Sequence, residues 1–267
     1  IEVATGQGVY TWVDYNGDSV KDLNEFEVAA YQDQANYVRI FTPSDEYVRT
    51  FTNEFSQSVF FQPERIWARK KGFLKLMSRF SDQMQFRVAR KTDNENGANA
   101  FNPFVTNERD TSLISASSTL RNTFFFNRTN QIFGADYTYS ALNNKILLSN
   151  GFDQRTTTFN QLNIRWNIKR KFTLKASGEV GEKRSEADYT SGRDFAIDYE
   201  KIKPELIYQP NTAFRISLLY RYEDKRNKLG DLGERATIND IGIELRYNQV
   251  EKGSLTGTFN VLNIKFN

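Results

Sequence analysis

Cysteine and histidine are both absent from the 267 residues of this chain. Without cysteine there are no disulfides, no thiolate metal sites and no Cys nucleophiles. Without histidine, Ser-His-Asp catalysis, imidazole proton shuttles and imidazole metal ligands fall away too. An enzyme would be left with carboxylate, Lys or Tyr chemistry, and no paired acid motif stands out, so the expectation is a non-enzymatic protein. Charge of one sign is also lacking: 36 basic residues face 33 acidic ones. No broad field therefore points to nucleic acid as a partner. No apolar run approaches the roughly 18 residues of a spanning helix. The chain begins at Ile1 without the basic, apolar and small regions of a leader, which reads as a fragment or a processed product.

What is present is aromatic and alternating. Phe 22, Tyr 13 and Trp 3 make up 14% of the chain, a share that suits strands and interfacial girdles. Mean hydropathy is -0.64, low for a membrane protein. A transmembrane barrel escapes that test, because only every second residue faces lipid. About ten stretches of apolar/polar alternation are predicted between Glu46 and Asn267, at Glu46–Phe61, Gly72–Arg90, Ser112–Asn127, Gln131–Ala141, Thr157–Asn167, Lys171–Gly181, Phe195–Tyr208, Thr212–Tyr222, Thr237–Tyr247 and Ser254–Phe266. In the eighth, Phe214, Ile216, Leu218, Tyr220 and Tyr222 oppose Arg215, Ser217 and Arg221, with Leu219 as the exception. That is a period of two, the period of a strand. Pro204 interrupts the seventh stretch and calls for a bulge or an edge position. Asp82 falls on the apolar face of the second.

The connections are predicted to alternate between short and long. Arg128–Asn130, the Ile168–Arg170 corner and Gln209–Asn211 are short; Lys91–Thr111, Leu142–Thr156, Glu182–Asp194 and Glu223–Ala236 are long and polar; Gln62–Lys71 and Asn248–Gly253 are intermediate. Aromatics crowd the short-turn ends, where an interfacial belt belongs. The polar faces repeat Arg, Lys and Glu, and the strands exceed the roughly five or six residues usual in globular sheets. These features predict an all-β, antiparallel transmembrane β-barrel segment of the bacterial outer membrane, incomplete in strand number. With short turns periplasmic, both ends of the sequence would lie outside, and further strands would precede residue 46 and follow residue 267. The alternative is a soluble antiparallel sandwich whose Tyr and Trp stack carbohydrate.

Residues 1–45 form a separate segment in this reading, ahead of barrel strands over 46–267. Between Trp12 and Phe26, oxygen-bearing side chains recur at the spacing of an EF-hand loop: Asp14, Asn16, Asp18, Asp22 and Glu25 occupy positions one, three, five, nine and twelve, and the Val20 carbonyl position seven. Six to eight hard oxygens around one ion is what calcium requires. A structural Ca2+ is therefore expected, with Glu25 as the bidentate closer. Ser19 stands at position six, where glycine normally permits the sharp turn. A solvated acidic turn is the other reading of the same residues.

The strings Gly6–Asp18, Leu23–Glu27, Asp33–Tyr37, Phe41–Pro43, Pro63–Trp67 and Arg165–Ile168 resemble the C-terminal β-barrel region of large, poorly characterised outer-membrane proteins of Bacteroidota. The resemblance covers nearly the whole chain. It implies a barrel that continues past residue 267 behind a much longer N-terminal part, and it supplies no catalytic motif. Outer-membrane lipid and other envelope proteins are the expected partners, in envelope assembly, export or surface attachment.

Overall fold

The computed structural model describes residues 1–15, 17–22, 25–40, 47, 49–93, 112–148, 151–188, 194–229, 234–249 and 252–266. The chain divides into two compact units, Ile1–Val48 and Arg49–Asn267.

In the first unit, β1 (Tyr10–Trp12) and β2 (Phe26–Val28) form an antiparallel ribbon with Trp12 opposite Phe26. Single bridges tie Tyr37 to Glu2 and Tyr10, and the Phe26 and Tyr37 rings meet edge-on at 5.1 Å. The backbone passes so close at Gly8 that a Cβ there would lie 2.5 Å from the Tyr37 nitrogen. Only glycine fits. Ala35 is the one fully buried apolar residue described in this unit. That is a thin core for a unit well below the roughly 70–80 residues at which a core alone suffices.

The second unit is one antiparallel sheet of ten strands in sequence order: β3 (Phe51–Phe61), β4 (Phe80–Thr92), β5 (Leu113–Phe126), β6 (Phe133–Leu148), β7 (Gly151–Ile168), β8 (Phe172–Ala187), β9 (Phe195–Tyr208), β10 (Phe214–Asn227), β11 (Arg235–Gln249) and β12 (Gly253–Phe266). Each strand pairs with its sequence neighbours, and β3 and β12 are the two edges. Among the described residues the sheet is therefore open and not closed into a barrel. A sandwich needs two facing sheets, and the described strands of this unit make only one.

Three details differ from the sequence expectation. Gly72–Met77 was expected to begin a strand, but Phe73–Met77 is a short helix, α2, preceded by α1 (Glu64–Trp67). Pro63 stands at the start of α1, and Gly72, at φ 67, breaks the chain before α2. Leu74 and Leu76 thus leave the alternating face. Second, Leu142–Thr156 is not a loop: β6 and β7 stay paired out to Leu148 and Gly151, so their connection is 149–150. β8 and β10 likewise run on to Ala187 and Asn227. Polar strand ends carry no apolar alternation, so they read as loop. Third, Pro204 lies in a central strand with no residue inserted. Its missing N–H leaves a gap in the β9–β10 ladder, but the register is the same on either side, Leu219 with Glu205 and Tyr222 with Ile202.

The faces sort by polarity, and the apolar one is exposed. Leu162, Trp166, Leu218 and Ile241 are each about half exposed. On the opposite face Thr138 and Ser217 are 1% and 2% exposed, and the Thr123 and Thr138 hydroxyls meet at 3.0 Å. The sheltered face is the polar one, the reverse of a water-soluble sheet.

Candidate functional site

Two places carry chemistry: the acidic loop of the first unit and the polar face of the sheet.

The β1–β2 connection folds around its own carboxylates. Asp14 accepts from the Gly17 and Ser19 amides at 2.7 and 2.9 Å, and Asp18 accepts from the Val20 amide at 2.7 Å. Ser19 takes φ 59, the left-handed conformation for which glycine is suited. These bonds turn Asp14 and Asp18 toward Glu25, and carboxylate oxygens of the three lie within 4.8 Å of one another. Glu25 is 2% exposed. Its Oε2 accepts from the Trp12 indole at 2.9 Å and the Asp22 amide at 3.4 Å. The trio is a set of hard oxygen donors of a kind able to hold a metal ion.

The Asp22 carboxylate is not in the cluster, the Val20 carbonyl accepts the Asp22 amide at 3.1 Å, and Asn16 lies outside the described residues. Strands rather than helices flank the loop, so the ligand spacing is present without an EF-hand's helix–loop–helix. Lys21 is the one cation in the sequence of this loop. Its ammonium binds Glu2 at 3.2 Å, and its hydrogen bonds to Tyr37 and Glu2 hold its pKa above the usual lysine range. The Tyr15 phenol is likewise raised by its hydrogen bond to Glu27.

A left-handed serine costs about 1–2 kcal/mol relative to glycine. Ser19→Gly is therefore expected to stabilise the folded loop by about 0.5–1 kcal/mol after glycine's greater chain entropy is subtracted. A rise in the thermal midpoint of the full chain checks this; an unchanged or lower midpoint contradicts it.

The polar face of the sheet lines a cavity of about 550 Å³ that draws on strands β6 to β12, among them Asp136, Arg165, Lys203, Glu205, Arg221 and Asp240. One face contributing across seven strands must be concave. Charges pair across this polar face: Lys175–Glu205 at 3.3 Å, Arg215–Glu205 at 3.5 Å, Arg221–Asp240 at 3.0 Å and Lys201–Glu179 at 3.9 Å. Asn163 donates to Asp136 at 2.8 Å. Tyr199, 6% exposed, folds across Gly181, where a Cβ would sit 2.8 Å from its hydroxyl and 2.5 Å from the Thr158 carbonyl. Arginines and glutamates of this face were expected from the alternation to share it. The sheltered Thr, Ser and Tyr were not, because single small polar residues give no periodic signal.

The exposed face has its own order. Phe80 packs against Phe124 and Phe126, and Phe172 against Tyr208. With Trp166 and Phe214 these rings mark one edge of an apolar band, and on β10 Tyr220 and Tyr222 mark the other. On β10 the row from Phe214 to Tyr222 spans about 27 Å of strand, or about 20 Å of height at a barrel's usual tilt. Beyond it the outward positions turn to Glu182, Arg184, Glu200, Asp224 and Arg226. Polar groups inside the band are answered by diagonal neighbours: Asn122 donates to Asp82 at 3.0 Å, Tyr137 to Asn160 at 2.6 Å and Tyr220 to Asn239 at 2.9 Å.

No family model, no curated protein and no solved structure matches this chain.

Proposed function

We propose that this chain forms the strands of a non-enzymatic outer-membrane β-barrel of the bacterial envelope, serving assembly, export or surface attachment, with calcium ordering the 14–25 loop. One observation carries the membrane reading: large apolar side chains point outward in a band edged by aromatics, while the polar face is the sheltered one. Water would penalise that arrangement, and hydrocarbon rewards it. Unpaired backbone is not tolerated in lipid, so the β3 and β12 edges would be joined directly or through further strands. Strands of 14 to 18 residues exceed the roughly 9–11 needed to span. The surplus lies at the end carrying 149–150, whose hairpins would project outside the cell.

For calcium, the support is a buried carboxylate among two others in a unit with little core. A bound cation would supply the missing staple. Outer-membrane lipid is then the first partner, other envelope proteins are the next, and nucleic acid is not expected.

Co-flotation with phospholipid vesicles tests the membrane reading. The refolded chain should rise with the vesicles and stay with them through a high-salt alkaline wash. A folded, monodisperse chain in detergent-free buffer would overturn it.

A further inference from the structure

The end of the sheet that bears the aromatic edge is also strongly basic. Five connections lie there, of which 62–79, 127–132, 169–171 and 209–213 are wholly within the described residues. Of the residues in 62–79, six are Lys or Arg, and Glu64 alone is acidic. Arg128 adds another cation, and Lys169, Arg170 and Lys171 fill the third connection completely. The connections form one surface: Thr129 donates to Glu64 at 3.0 Å, the Asn127 amide to the Arg79 carbonyl at 2.8 Å, Arg165 to the Asn130 carbonyl at 2.7 Å, and the Gln209 amide to the Lys171 carbonyl at 2.7 Å. Among the described residues, none of these cations is in an ion pair.

Two further features set this surface apart from an ordinary solvated face. Lys169 and Arg170 both sit at positive φ, 49 and 59, where Gly or Asn is the usual choice. The turn carries its charge in a backbone conformation that side chains other than Gly, Asn and Asp disfavour. Beside the cations, Ile66 and Phe73 are 74% and 71% exposed, with Leu74 and Leu76 next to them. Apolar side chains among cations, level with an aromatic edge, match the boundary between acyl chains and headgroups.

We propose that this end of the sheet is a docking surface for the anionic headgroups of phospholipids in the adjoining leaflet. Lys and Arg would meet phosphate, and the 64–77 segment would rest its apolar side chains at the acyl boundary. The proposal rests on the membrane reading above and adds a lipid preference to it. Charge complementarity selects the occupant, since the surface presents cations without carboxylate partners beside exposed aliphatic groups.

The test uses the full chain inserted in phosphatidylcholine vesicles, with trace spin-labelled phosphatidylglycerol or spin-labelled phosphatidylcholine as probe. The protein-associated fraction of labelled phosphatidylglycerol should exceed that of phosphatidylcholine by about fivefold, the equivalent of one cation–headgroup contact. High ionic strength should erase most of the excess. So should the combined variant Lys70→Gln, Lys71→Gln, Lys169→Asn, Arg170→Asn and Lys171→Gln, in which asparagine accepts the left-handed turn. Equal association of the two lipids with inserted protein overturns the proposal and leaves the surface to a polyanionic macromolecule. A preference that survives both salt and the variant also overturns it. Failure to insert in either lipid falls on the membrane reading instead.

Discussion

Replacing Leu218 by arginine is expected to cost the lipid-inserted protein about 2–4 kcal/mol, and the same replacement at Leu219 to stay within about 0.5 kcal/mol. The two leucines are neighbours on β10, and their exposures are similar, 47% and 40%. In water, two half-exposed leucines of one strand would answer alike. They differ in what they face. Leu218 lies between Leu206 and Ile243 on the outward band, whereas Leu219 lies between Glu205 and Gly242 on the polar face and lines the cavity there. An arginine at 218 would put a cation into hydrocarbon, with Leu206 and Ile243 as flanking neighbours. An arginine at 219 would meet water, Glu205 and the Asn260 amide that lies over Gly242. Denaturant unfolding of both variants from vesicles measures the difference. Equal losses would mean that the outward band does not contact hydrocarbon.

Legibility in the sequence followed the physics of each segment. Ten strands in hairpin order were readable because lipid-facing and sheltered residues alternate wherever both faces matter. The alternation fades in the outer halves of β6, β7 and β8, where both faces carry polar residues such as Asn143, Thr156 and Arg184, so those strand ends resembled loops. The 73–77 helix was missed for the opposite reason. Leu74 and Leu76 kept the period of a strand, and only Gly72 marked the break. In the acidic loop the spacing pointed to Asp14, Asn16, Asp18, Val20, Asp22 and Glu25 as one ligand set, and the carboxylates of Asp14, Asp18 and Glu25 do cluster. It gave no sign that Trp12 would fasten Glu25, because that bond crosses the β1–β2 ribbon and depends on the pairing of Trp12 with Phe26.

Calcium at about a hundred times its dissociation constant is expected to add about 2.7 kcal/mol to the stability of the Ile1–Val48 unit, and Glu25→Gln to remove nearly all of that gain. The substitution is chosen for what it keeps. A glutamine can still accept the Trp12 indole hydrogen bond and fill the same buried space, so the loss would report charge rather than packing. Asp22→Asn separates the structure from the ligand spacing. Spacing alone makes Asp22 a ligand, but its carboxylate is outside the Asp14, Asp18 and Glu25 cluster, so most of the calcium response should persist in that variant. Trp12 makes the measurement direct, since its indole touches the closing carboxylate at 2.9 Å. Tryptophan fluorescence of the full chain should change on calcium titration and stay flat in Glu25→Gln. Asp22→Asn losing as much as Glu25→Gln would restore the full EF-hand ligand set. A wild-type chain whose fluorescence and thermal midpoint both ignore calcium would leave three carboxylates in a solvated turn and no metal site.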